Sequence, residues 1–523
     1  MGPQNAHRYS DLTVAMVVGT IVTILWTALT WRYGFDFADE GYYWYGSQRM
    51  LRGEVPMRDF LSYDIGRYIW GAALMALMGD DGIVGARMAA AAFRIISIVI
   101  GVRIVLRAAD GRLSTPVKLG LAALSAVLLN LWVFPYYKVY DFGISIMLLG
   151  MLVLMVQRQT MRAWFGAGII LGVAAVIGRN HGMYGAFGAL LLLAFLLAKH
   201  KKPRTLFKPS LLFISGVVVG FSPNFIFAAL FDGYTAAFIT TLRDLINSGS
   251  ANIGLPIPWP WTLDKTDTGF IIWTMNVVIG LAFIALLAVP LAALLMLARR
   301  PLAQFQPIDQ VMLAAAMCGL GYAHYAYSRS DLTHLSHAIA GVLFILLCAG
   351  LRARRPLIMA VVLLGVSVMA FTQEEPFLAR PILHKPLATM PVNGTNLYVF
   401  PGSANRLAKV EKIFAAYPAG RTNFLALPNA PGMHAIYKSK MPIWEIYALS
   451  KRPAAFELQE LARLNAARPE VIVLSDHGLD KHDNMRYSIM HPLTYQWINE
   501  HYQRVGSSSD AADAAWQAYV LKH

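Results

Sequence analysis

Three acidic residues, Asp36, Asp39 and Glu40, stand among aromatics in the stretch WRYGFDFADEGYYWYGSQRM (31–50). The apolar run before them, from Leu12 to about Trp31, is long enough to cross a bilayer. Carboxylates at membrane depth are costly and default to functional roles, and a positioned carboxylate can take a proton as a general base. The competing reading is of solvated loop acids beside an interfacial belt of Trp and Tyr. Further reactive types recur at helix junctions. YYKVYDFG (136–143) carries Lys138 and Asp141, and GRNHGMYG (178–185) carries Arg179 and His181. YAHYAYSRSDLTHLSHA (322–338) gathers His324, Arg329, Asp331, His334 and His337, and GRYIWGAALMALMG (66–79) supplies Arg67. Arginine presents a fork of donors that matches phosphate, so Arg67, Lys138, Arg179, His181, Arg329, Asp331 and His334 are candidates to bind a phosphate or a hydroxyl-bearing substrate. His334 and His337 share a helix face near Asp331, a spacing that also admits a divalent metal ion, whose identity stays unknown; hydrogen bonding to a polar ligand is the simpler role. The plain alternatives are helix caps and snorkelling side chains, above all for Lys138.

The elements that must hold these residues follow from composition. With 523 residues, 57% hydrophobic and 14% charged, the chain is too apolar for a soluble globular protein and reads as an integral membrane protein. Eleven spanning helices are predicted near 12–31, 83–106, 116–134, 142–157, 164–178, 183–198, 210–230, 270–298, 310–327, 335–351 and 356–371, each near the ~20 residues a crossing needs. Alternate junctions hold Arg107, Arg112 and Lys118; Arg158 and Arg162; KHKKPR (199–204); Arg299 and Arg300; and RARR (352–355). Positive charge collects in cytoplasmic loops, which places the N-terminus inside and the acidic, aromatic stretches outside. The first run lacks a small-residue cleavage site and reads as an anchor. The net charge of +15 is then a topology signal with some attraction to anionic lipid headgroups. Nucleic acid is not an expected partner, because the basic clusters sit at separate helix ends and form no groove-lining stripe. The two cysteines, Cys318 and Cys348, fall inside predicted spans, so no disulfide framework is expected. No phosphate loop of the P-loop type occurs, which leaves ATP-driven transport without support.

Residues 41–82 read as two amphipathic pieces lying on the membrane surface. Domain boundaries are expected at 1–371 for the membrane region and 372–523 for a soluble α/β domain. In the latter NLYVF (396–400), NFLALP (423–428) and VIVLSD (471–476) read as strands separated by helices, with WQAYVLK closing the sheet. That alternation implies a mostly parallel sheet.

The Asp-Glu pair after the first span, followed by QRMLRGEVPMRDF and SYDIGRYIWGAALMALMGDDGIVGARM, resembles the first external loop of the GT-C glycosyltransferases. Within that superfamily the pattern is similar to the lipid A aminoarabinose transferases and the protein O-mannosyltransferases. It is detailed over roughly residues 12–200 and departs from the aminoarabinose transferases after Asp59, where YDIGRY replaces their Lys-Pro step. The resemblance implies a polytopic GT-C fold with interfacial helices in the first external loop. It also implies an inverting transferase that takes a sugar from a polyprenyl-phosphate carrier to the hydroxyl of a glycan, glycolipid or protein. It makes Asp39 the catalytic base, with Glu40 beside it and Asp141 as a second carboxylate. The expected location is a bacterial inner membrane with the C-terminal region on the periplasmic side. No cofactor is implied with certainty, since members differ in their need for a divalent ion. Two other classes stay open: a transporter or lipid-linked sugar flippase, and an enzyme moving a preassembled glycan. A transporter should show repeats and broken helices around midplane charges, whereas the charges here gather at one end of the helices.

Overall fold

The structure, a computed structural model, describes residues 3–158, 160–199, 203–248, 253–505 and 516–522. Part of the basic KHKKPR run, residues 200–202, therefore lies outside the described residues. Every predicted span coincides with helix. Among the described residues, six single helices and three bent helix pairs are long and apolar enough to cross a membrane. Of the eleven expected segments, Met161–Ile177 is apolar but short, and Pro307–Ser328 gains polarity from Tyr322, His324, Tyr325 and Tyr327 near its end.

Residues pack into two compact units. The first comprises 1–31, 88–227 and 252–384 and holds the long helices. Leu25, Leu29, Leu190, Leu295, Val361 and Val362 are exposed on its helices. Outward-facing rows of large aliphatic side chains suit lipid and would be a liability in water. Between helices its packing uses glycine. Gly168 and Gly172 on Met161–Ile177 meet Gly216 and Gly220 on Phe207–Gly220, so closely that a Cβ on any of the four would stand 2.0–2.3 Å from a carbonyl oxygen of the facing helix. This is the small-residue spacing by which membrane helices bring their backbones together. The predicted span at 210–230 is bent by 40° between Phe207–Gly220 and Ser222–Leu230, next to Pro223, which has no amide to continue the helix.

The second unit comprises 32–87, 228–251 and 385–523. It therefore differs from the expected 1–371 and 372–523 division. Backbone pairing explains why residues 32–87 group with the C-terminal region: Gly34 N donates to Tyr398 O (2.9 Å), Tyr398 N to Arg32 O (2.7 Å), Leu61 N to Trp444 O (2.8 Å) and Gly432 N to Phe37 O (2.9 Å). Gly41 is required by the same packing, since a Cβ there would lie 2.2 Å from the Gly432 nitrogen.

Among the described residues, six strands lie in this unit: β1 (Ala388–Val392), β2 (Thr395–Val399), β3 (Phe424–Leu427), β4 (Val471–Leu474), β5 (Tyr502–Val505) and β6 (Gln517–Leu521). The main sheet runs β3-β4-β6-β5, and only β3 and β4 are parallel. The mostly parallel sheet expected from strand and helix alternation is thus a mixed one. β2 leaves it altogether and pairs with β1 as an antiparallel hairpin. Its turn is Asn393-Gly394, both at positive φ, the two-residue geometry that matches strand twist.

The two pieces of the first external loop are helices, Asp39–Leu51 and Ile65–Met78. Tyr42, Tyr43, Trp44 and Tyr45, expected to anchor the loop at the membrane surface, are instead buried in this unit. The polar atoms of Trp44 and Tyr45 are satisfied there. Trp44 Nε1 donates to Asp81 O, and Tyr45 hydroxyl accepts from Met441 N and donates to Ser439 O.

Candidate functional site

Asp39 opens the Asp39–Leu51 helix, with Ala38 as N-cap. An acid in the first turn is favoured by the helix dipole, and the turn is fixed from outside by Asp36, whose Oδ1 accepts from Ala38 N at 2.7 Å. Asp39 Oδ1 accepts a hydrogen bond from the Tyr447 hydroxyl at 2.8 Å, with the Tyr63 hydroxyl at 3.5 Å. Tyr42 stacks on Tyr447 (centroids 4.8 Å apart) and meets Tyr63 edge to face, so it braces the two rings whose hydroxyls face the carboxylate. Burial, followed by the negative charge of Asp39, pushes the Tyr447 phenol well above its ordinary range, which keeps it a hydroxyl donor at any physiological pH. Arg67 is buried with its guanidinium over the Tyr63 ring at 4.8 Å.

Glu40 departs from its expected role. It accepts from Arg87 through both oxygens, Nε to Oε1 at 2.8 Å and Nη2 to Oε2 at 3.1 Å, and Arg87 also donates to Gly34 O at 2.7 Å. Both side chains are 2% exposed. A carboxylate so enclosed is tied to Arg87, and the pair fixes the first turn that carries Asp39. Successive helical residues point about 100° apart, which separates the fates of these two neighbours.

The other candidates lie in the first unit. Asp141 is buried in the first turn of Val139–Gln157 and accepts at Oδ1 from His181 Nε2 (3.0 Å) and the Tyr325 hydroxyl (3.2 Å). His181 Nδ1 lies 2.8 Å from the Tyr322 hydroxyl; with Nε2 protonated, Nδ1 accepts from the phenol, and every group in the chain is satisfied. His337 is buried beside Tyr325, and among the described residues neither of its ring nitrogens has a hydrogen-bond partner. An imidazole buried so is costly and marks a place where a ligand group can be received.

Asp331 caps the Leu332–Ala338 helix, accepting from His334 N and His334 Nδ1, each at 2.8 Å, and from Arg329 Nε at 2.7 Å. Burial alone would raise its carboxyl, but the His334 bonds and Arg329 prevail and hold it at about 2. The stability it lends is fully present above the ordinary aspartate range and is lost as pH falls toward about 2. Both oxygens of Asp331 are engaged in these bonds. Among the described residues no group of three or more His, Cys, Asp or Glu side chains is arranged to hold an ion. Arg179 begins the Arg179–Lys199 helix and Lys138 ends the Tyr136–Lys138 turn, both half-buried.

Tyr447, Tyr63, Arg87, Tyr322 and Tyr325 were not legible as site residues. Arg87, four residues into a predicted span, was the one with a signal, since a charge there requires a partner.

No family model and no curated protein matches the sequence. Solved structures similar to it include ArnT from Cupriavidus metallidurans bound to undecaprenyl phosphate, at 14% identity and TM-score 0.48 over 98% of this chain and 97% of that one. The archaeal oligosaccharyltransferase AglB from Archaeoglobus fulgidus, in complex with an inhibitory peptide and a dolichol-phosphate, is similar at 12% identity and TM-score 0.44 over 98% of this chain and 74% of that one.

Proposed function

We propose that the chain is a GT-C-type glycosyltransferase that moves a sugar from a polyprenyl-phosphate carrier to an acceptor hydroxyl. The setting is the external face of a bacterial inner membrane, in the assembly of a cell-envelope glycan or glycolipid. The observation that carries the reading is Asp39: a half-buried carboxylate in the first turn after the first membrane helix, held by the Tyr447 hydroxyl and walled by tyrosines. It stands in the Asp-Glu motif on which the family resemblance rests. The acceptor oxygen attacks the anomeric carbon, its proton passes to Asp39, and the bond from that carbon to the carrier phosphate breaks with the electron pair leaving on phosphate. One displacement with a base and no covalent intermediate inverts the anomeric centre. The enzyme class is tested by supplying purified protein with radiolabelled polyprenyl-phosphate sugars and lysed-envelope acceptors. Carrier-dependent transfer supports the reading, and transport of the intact lipid-linked sugar without bond cleavage would replace it with a flippase.

Arg179 and Arg329 are assigned to the carrier phosphate, with Lys138, His181 and His334 as further polar groups of the first unit. His337, with its two unmet nitrogens, supports a polar ligand there. Arg329 is already paired with Asp331, which orients its guanidinium. Alanine at Arg179 or Arg329 should weaken undecaprenyl-phosphate binding by roughly 10- to 100-fold, as losing a bond to a charged group does. Titration of detergent-solubilised protein measures it, and affinity surviving both changes would make the two arginines structural.

Sidedness is tested independently. Reporter fusions after Arg204 and after Phe371 should report opposite sides of the membrane, inside for the first and outside for the second, and a shared side would overturn the topology.

A further inference from the structure

The second unit contains a cavity of about 320 Å³ at one edge of its main sheet. β3 and β4 are parallel and end at this edge, where Asn429 and Ser475 follow them. β6 runs the other way, with Gln517 opposite Leu474, so Trp516 arrives at the same edge. Crevices outside the carboxyl ends of parallel strands are recurrent ligand sites, and the volume falls at the lower end of the ~300–1,000 Å³ found for small-molecule pockets. Phe35, Asp36, Phe37 and Ala38 form another wall. That wall is the turn that caps the helix of Asp39 through the Asp36 carboxylate.

The lining selects the ligand. Trp516 presents an indole 6.0 Å from Phe37 and within 6.0 Å of the Arg406 guanidinium. Around it stand an acceptor-only carboxylate (Asp36), a cation (Arg406), an imidazole (His477), and groups that both donate and accept (Ser403, Asn429, Ser475). A purely apolar ligand would strip these polar groups of water with nothing in return. A phosphate or carboxylate would be drawn by Arg406 but repelled by Asp36. A neutral, hydroxyl-rich ring suits every wall, with its C–H face on the indole and its hydroxyls bridging acceptors and donors.

We propose that this cavity binds a neutral sugar unit of the acceptor and so presents its hydroxyl-bearing chain to the enzyme. The binding site stands on its own geometry; its role as an acceptor subsite rests on the transferase reading. The acceptor is accordingly a glycan or glycolipid.

The test is saturation-transfer difference NMR on the full-length protein in detergent, with the methyl glycosides of glucose, galactose and mannose as probes and inorganic phosphate as the anionic comparison. At least one methyl glycoside should give transfer, both in the wild type and in Asp39→Asn, and phosphate should not displace it. Trp516→Ala and Asn429→Ala should each weaken that signal by about tenfold, and Trp516→Phe should restore most of it, which separates loss of stacking from loss of fold. Absence of signal from all three glycosides overturns the proposal, as does displacement by phosphate or binding that survives Trp516→Ala together with Asn429→Ala in folded protein. The two readings fail separately. Glycoside binding with transfer intact in Asp39→Asn would remove the base and keep the pocket, whereas Asp39-dependent transfer without glycoside binding would remove the pocket and keep the base.

Discussion

Replacing Asp39 with Asn should lower sugar transfer by about two to four orders of magnitude, the usual worth of a general base, while binding of the polyprenyl-phosphate donor changes little. Asparagine keeps the shape and still accepts the Tyr447 hydroxyl bond, but it cannot take the acceptor's proton. The comparison that gives this weight is Asp36→Asn. Asp36 holds the Ala38 amide, a bond that an asparagine oxygen also makes, so turnover should stay within a few-fold of wild type and any effect should appear in the acceptor KM. Single-turnover kinetics with a labelled donor separates chemistry from binding. Near-normal transfer by folded Asp39→Asn protein would end the mechanism proposed above.

The second large effect is on stability. Glu40→Gln or Arg87→Ala breaks an ion pair of which both members are 2% exposed. Removing one partner of a buried pair leaves a charge without compensation and typically costs ~3–5 kcal/mol. Either variant should therefore melt at clearly lower temperature in detergent, and the paired change Glu40→Gln with Arg87→Met should recover part of the loss because no lone charge remains. If Glu40→Gln melted like wild type yet lost all activity, Glu40 would return to the catalytic group from which its burial removes it. Loss of activity in parallel with loss of fold is the expected outcome.

Composition and spacing alone determined that this is a membrane protein with helices at every predicted span, because lipid demands long apolar helical runs and writes them plainly into the chain. Paired acid and aromatic residues after the first span were equally plain. The Asn393-Gly394 turn and the facing glycines of 168–172 and 216–220 took their meaning only from the partner strand and helix they meet in the fold. What sequence could not supply was pairing across distance. Asp39 meets Tyr447 across 408 residues, and His181 meets Tyr322 across 141; no local period encodes such contacts. Nor could it tell Asp39 from Glu40, adjacent acids with the same chemistry. Only the fold, by turning one toward Tyr447 and Tyr63 and the other into Arg87, gave the two acids different surroundings, since in a helix neighbouring side chains leave the axis in different directions.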